Sequence, residues 1–166
     1  MLFRSDLRSR LVVVPRDYQF LSADNLYDLN WLEVHARVQG PGVPGRVVAT
    51  RLATWELEAM VGQLRLLSEG QRAWWHPRFF DSGLHLWVRR TNERNDLCQV
   101  TVFASPVSGP LPVEVLDAWD GQRLRRPVHR IEGLRFVCSR DALGLFGLEL
   151  ARALRGFPVR PLRKTG

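Results

Sequence analysis

From Trp31 to Gln39 the chain alternates without a break, with Leu32, Val34, Ala36 and Val38 on one side and Trp31, Glu33, His35 and Arg37 on the other. Successive side chains of a strand point to opposite faces, so this period of two predicts a half-buried strand. A Pro/Gly cluster, Gly40 to Gly45, separates it from Arg46 to Leu52, its expected hairpin mate. Upstream, Leu11 to Phe20 is rich in strand formers. Further strands are expected at Arg78 to Phe80, Gly83 to Thr91, Leu97 to Ala104, Val113 to Ala118 and Gly133 to Cys138.

Two stretches switch to helical spacing. In the first, Leu57, Met60, Val61, Leu64 and Leu67 recur on one face, and Gly70 supplies a stop. Thr54 is the expected N-cap, and Glu56 and Glu58 lie where carboxylates meet the positive end of the helix dipole. The second opens at Ser139 or Asp141 and ends before Gly156. Leu143, Phe146, Leu150 and Leu154 form its stripe, Gly144, Gly147 and Ala151 a smooth side for close approach. With few polar residues it is expected to be mostly buried. Helices at about 54–69 and 140–155 among runs of strands predict an α+β fold: a twisted antiparallel sheet or small β-sandwich with two helices.

At 166 residues with 45% apolar and 25% charged positions, the chain fits one domain over 1–166, closed by a basic tail, 157–166. No apolar run is long enough to span a bilayer. The start, Met1 to Asp6, places charge where a signal peptide needs an apolar core, so the expected location is the cytoplasm. Cys98 runs in register with Val100 and Val102, and Cys138 with Leu134 and Phe136. Both are expected to be inert core thiols.

The net charge of +7 raises nucleic-acid binding as an alternative function, carried by the arginine-rich C-terminal part. Arg152, Arg155, Arg160, Arg163 and Lys164 have no acidic residue after Glu149 to balance them. The stretch from Asp17 to Ala36 is the opposite, with Asp17, Asp24, Asp28 and Glu33 and no base. Such asymmetry points to a partner surface of mixed character.

Candidate chemistry is sparse. His85, Trp87 and Arg89 alternate with Leu84, Leu86 and Val88; if that strand lay near Trp31 to Gln39, Trp31, Glu33, His35, His85, Trp87 and Arg89 would share one face. Glu33 with either histidine has acid–base chemistry, so an enzyme on this face is the third alternative, while a solvated sheet face needs no function at all. His35, His76, His85 and His129 are scattered without ligand spacing, and there is no GxSxG, GxGxxG or GxxxxGK[ST]. No metal, no cofactor and no catalytic residue are expected. Of the adjacent Trp74 and Trp75, one is expected under the first helix and the other at the surface.

Tyr27-Asp28-Leu29-Asn30-Trp31-Leu32-Glu33-Val34, then Leu52-Ala53-Thr54-Trp55-Glu56-Leu57, resemble the WapI family of bacterial immunity proteins, with its aromatic lead-in to a strand, strand pair and TWE helix start. Phe79-Phe80-Asp81-Ser82-Gly83-Leu84 resembles a later segment of that pattern, and the resemblance covers roughly residues 1 to 115. It implies a small, non-enzymatic cytoplasmic protein that binds and neutralises the toxic C-terminal domain of a polymorphic, contact-dependent toxin, RNA-cleaving domains being among the targets. Inhibitors of nucleases tend to be acidic, whereas this chain is basic, so either the toxin is not a basic nuclease or the acidic segment from Asp24 to Glu33 acts locally. The partner surface is expected on that acidic segment and the adjoining outer face of the Trp31 strand: Asp24, Tyr27, Asp28, Asn30, Trp31, Glu33 and His35. There aromatic anchors sit beside charge that can steer a basic partner.

Overall fold

The computed structural model describes residues 3–4, 9–21, 24–80, 82–91, 96–125, 128 and 130–161. Asp81, His129, Arg163, Lys164 and most of the Met1 to Asp6 start lie outside the described residues. The fold is α+β, and it is built on two antiparallel sheets. In the first, β1 (Phe3–Arg4), β2 (Arg10–Tyr18), β3 (Trp31–Gly40) and β4 (Val43–Ala53) follow one another in chain order. In the second, β5 (Trp74–Trp75), β6 (Leu84–Arg90), β7 (Leu97–Ala104) and β8 (Glu132–Ser139) do the same.

The alternation read for β3 is what buries it: Leu32, Val34, Ala36 and Val38 are wholly inaccessible. Its hairpin to β4 is tighter than the sequence implied, because Pro41 and Gly42 alone make the turn, with Gly42 at φ 73° where L side chains are disfavoured. Arg123 donates to the Pro41 carbonyl from across the turn.

Helix α2 (Thr54–Ser68) buries Leu57, Met60, Leu64 and Leu67 as its spacing requires. Helix α4 (Arg140–Leu154) starts on Ser139, whose hydroxyl accepts the Ala142 N–H, and buries Leu143, Phe146, Leu150 and Leu154. The two helices pack on each other where α4 is smooth. A Cβ built on Gly147 would lie 3.3 Å from the Leu64 Cβ, and one on Gly144 3.3 Å from the Ser68 Cβ. These helix faces and the inner faces of both sheets share one core.

Four local expectations are corrected. The N-cap of α2 is Ala53, not Thr54; Thr54 is inside the helix, with its hydroxyl and its N–H both donating to the Asn30 carbonyl. Val113 to Ala118 is not a strand but a short helix, α3 (Val113–Asp117). Val115 in the helix and Ala118 at its C-cap are buried, three apart on one side, and Pro112 starts it. Arg78 to Phe80 is likewise not a strand. The chain pairs earlier, Trp74 with Arg89 and Trp75 with Val88, and Pro77, lacking an N–H, interrupts the ladder before it reaches Arg78. Finally, α4 is buried along one stripe only: Leu145 and Leu148 are exposed.

The 157–166 tail is anchored over its described part. Phe157 packs against the core and meets Tyr18 edge-on at 5.8 Å between ring centroids. The Tyr18 hydroxyl donates to the Pro158 carbonyl, and Arg160 lies over the Tyr18 ring at 4.5 Å. A short helix, α1 (Leu26–Leu29), holds the chain between β2 and β3.

The two cysteines face each other in register between β7 and β8, both buried. Burial pushes the Cys138 thiol up to about 12, and raises that of Cys98. Neither thiol is expected to react with Ellman's reagent in the folded protein at neutral pH. Both titrate once it is unfolded, and rapid labelling without denaturant would contradict the burial described.

Candidate protein-binding surfaces

The first surface surrounds the head of α2. Asn25 caps α1: its side-chain oxygen accepts the Asp28 N–H at 2.9 Å, and its amide donates to the Asp28 carboxylate at 2.7 Å. That fixes Asp28 half-buried and leaves Asp24 and Tyr27 outward, Tyr27 meeting Trp55 edge-on at 5.5 Å. The Glu56 carboxylate reaches back to accept the Ala53 N–H and also the Phe80 N–H. Burial raises the Glu56 carboxyl while these two donors pull it down. Phe80 is thereby held stacked on Trp31 at 6.2 Å. Leu21, Tyr27 and Phe80 are 84%, 64% and 71% exposed, an unusual concentration of bare apolar area beside Asp24 and Asp28.

Not every residue expected on this surface reaches it. Asn30 is wholly buried, its side chain bonded to the Leu26 and Arg160 carbonyls and to the Arg160 N–H. Trp31 is buried beneath Phe80. Both organise the surface from below. The acidic stretch is also less isolated than its sequence: Arg51 stands opposite Glu33 in the β3–β4 register, and the Arg160 guanidinium donates to the Phe20 and Leu21 carbonyls. Glu33 keeps one specific contact, accepting from His35 Nε2 at 2.7 Å.

The shared face expected to join Glu33 and His35 to His85, Trp87 and Arg89 does not form. The first pair is on the first sheet and the trio on the second. Periodicity assigns a residue to a face of its own strand, and only tertiary pairing decides which strands adjoin.

What His85, Trp87 and Arg89 do build is a second surface, on the outer face of the second sheet. Register sets Arg89 beside Gln99, Trp87 beside Thr101 and His85 beside Phe103, with Val137, Arg135 and Gly133 completing the three rows on β8. Gly133 is required there, since a Cβ would lie 2.5 Å from the Phe103 ring. One end of the face is roofed by α3 and the residues after it, where Val115, Ala118, Val128 and Ile131 bury themselves on Phe103. The uncovered remainder is a groove of about 400 Å³ lined by Trp74, His76, Trp87, Leu116, Trp119 and Arg135 among others. His76 stacks on Trp87 at 4.5 Å, Trp119 tilts against Phe103 at 4.8 Å, and Arg135 lies over Trp119 at 5.7 Å. Trp74 stands 67% exposed at the rim while Trp75 is buried, the division expected of consecutive strand residues. The sequence marked Trp74, Trp87 and Arg89; Leu116 escaped it because Val113 to Ala118 read as a strand, and Trp119 because nothing in its neighbourhood singled it out.

Burial lowers His85, with the neighbouring His76 adding to the shift, and burial and Arg78 lower His76. A base depressed in the folded state contributes stability above its ordinary value of 6.5 that is lost as pH falls below it. The melting temperature is therefore expected to fall between about pH 7.5 and 5.5, and His85→Phe to flatten that slope. An unchanged slope would place the acid sensitivity elsewhere.

Among the described residues no group of three or more His, Cys, Asp or Glu is placed to hold a metal ion, and no helix is long and apolar enough to cross a membrane. No curated protein and no solved structure matches the chain. The model of the immunity protein WapI-like family, however, matches residues 1–158, well past the segment in which the resemblance was legible, and the chain belongs to that family.

Proposed function

We propose that this immunity protein acts by binding a cognate bacterial toxin domain and occluding it, with no turnover of its own, in the cytoplasm of the cell it protects. Family membership over residues 1–158 is the observation that carries the reading. The surface at the head of α2 is the proposed first contact. Exposed Leu21, Tyr27 and Phe80 supply the apolar area in which binding energy concentrates, and Asp24, Asp28 and Glu33 supply charge that steers a basic partner such as a nuclease domain. Asn30, Trp31 and Trp55 hold those groups in place, and His35 orients Glu33.

Genomic neighbours of the gene supply candidate toxin domains, and the test is survival of cells expressing such a domain with this protein, together with association kinetics of the purified pair. Tyr27→Ala is expected to weaken binding by about tenfold or more, because a hot-spot aromatic is worth upward of about 1.4 kcal/mol, with little change in melting temperature. Glu33→Lys is expected to slow association and to reduce its dependence on salt. If the unaltered protein gives no protection and no binding, the toxin-binding reading fails. If it protects while both variants behave like it, the contact surface lies elsewhere.

A further inference from the structure

Resting on the reading of the protein as a toxin binder, we propose that the groove on the outer face of the second sheet receives an acidic segment of the partner, which inserts one apolar or aromatic side chain between Trp74, Leu116 and Trp119. Three features carry this.

The first is charge. Arg89 and Arg135 line the groove, and Arg135 and Gln99 also line an adjoining hollow of about 520 Å³ that contains Arg123. No Asp or Glu lines either one among the described residues. The hydrogen bonds of these arginines go to neutral oxygens: Arg89 to the Gln99 side chain at 2.9 Å, Arg135 to the Thr101 hydroxyl at 3.0 Å and Arg123 to the Pro41 carbonyl at 3.2 Å. Arg89 and Arg135 are thus oriented through Nε by neutral acceptors, and neither has a carboxylate partner among the described residues, which is how a surface awaiting carboxylates is prepared. Glu114 and Asp117 of α3 do not line the groove, and Asp120 is turned onto the Gln122 and Arg123 N–H groups of its own loop.

The second is composition and size. Tryptophan and arginine around a concave site are what interface hot spots are made of, and about 400 Å³ falls in the range of sites that enclose side chains or small ligands.

The third separates a polypeptide from a nucleic acid, the other anionic occupant. Bases bind by stacking on open aromatic faces. Here His76 already covers Trp87, and Arg135 covers Trp119. Leu116 and the rim residue Trp74 remain, and an aliphatic side chain together with one indole suits an inserted side chain better than a row of stacked bases.

The probes are four synthetic ligands presented to the full chain: the peptide Asp-Glu-Phe-Glu-Asp, the same peptide with Ala for Phe, its charge-reversed counterpart Lys-Arg-Phe-Arg-Lys, and an oligothymidylate. Tryptophan fluorescence and anisotropy of labelled peptide give the readout. The acidic Phe peptide is expected to bind at low salt, the Ala version about tenfold more weakly, and the basic one not at all. Trp74→Ala and Arg89→Ala, both at exposed positions, should each weaken binding about tenfold at an unchanged melting temperature. Equal binding of the three peptides, displacement by oligothymidylate, or indifference of both variants would overturn the proposal. Peptide binding without protection of cells from the toxin would support the groove while removing the toxin as its source. Protection that neither variant impairs would support the toxin reading and overturn the groove as part of it.

Discussion

Gly83→Ala is expected to lower stability by about 3–5 kcal/mol, and the melting temperature by about 10 °C or more. A Cβ at this buried position would lie 2.0 Å from the Ser105 carbonyl oxygen and 3.1 Å from that of Val107, contacts that no rotamer change relieves because both are backbone atoms. Neither side can give way. The Gly83 carbonyl accepts the Ser105 N–H at 2.7 Å, and its own N–H donates to the Thr50 hydroxyl of β4 at 2.8 Å. Thr50 also meets the Ser82 hydroxyl at 3.3 Å, so this knot ties the first sheet to the second. The matched control is Gly62→Ala in α2, where nothing lies within 4 Å of the added methyl. There the change should raise stability by about 0.5–1 kcal/mol through helix propensity. Thermal and urea unfolding of both variants decide the matter, and a Gly83→Ala protein as stable as the parent would show that the approach at Ser105 is not a constraint.

Asn30→Ala is the second large effect, expected at about 2–4 kcal/mol. Its side-chain oxygen accepts the Arg160 N–H at 2.6 Å, and its amide donates to the Leu26 carbonyl at 2.8 Å and the Arg160 carbonyl at 3.0 Å, all from a wholly inaccessible position. Removing it leaves the Arg160 N–H and the Leu26 and Arg160 carbonyls without this partner, and it also unties the C-terminal segment from α1. Beyond the fall in melting temperature, trypsin should cut after Arg155 faster than in the parent protein, because the segment opens without global unfolding. Equal cleavage rates would mean that Tyr18 and Phe157 suffice to hold it. Since α1 carries Tyr27 and Asp28, the variant should also weaken toxin binding, through displacement of those residues rather than through a lost contact.

The net charge of +7 is unevenly divided between the two surfaces. Charge over the whole chain does not describe either surface. The head of α2 presents Asp24 and Asp28, while the groove of the second sheet is lined by Arg89 and Arg135 and, among the described residues, by no carboxylate. A partner meeting both would have to be patterned in the opposite sense, which favours discrimination among partners more than raw affinity.

Local periodicity by itself determined the α+β class, β3 and its hairpin to β4, and the two long helices with their buried stripes. A strand or helix of eight or more residues with one apolar face has a single way to hide it. A smooth side of α4 open to close approach was legible too, because Gly144 and Gly147 lack side chains there, but that α2 is the element approaching it was not. Short segments were not determined in this way: Val113 to Ala118 carries too few residues for its period to separate strand from helix, and the helix won once Phe103 was there to receive Val115 and Ala118. Only the tertiary structure could decide that Asn30 and Trp31 are buried, that Arg51 and Arg160 come to an acidic stretch from far along the chain, and that Glu33 and His85 belong to different sheets. Each of these depends on which strands pair and which segments dock, contacts between residues distant in sequence that leave no periodic trace in the chain.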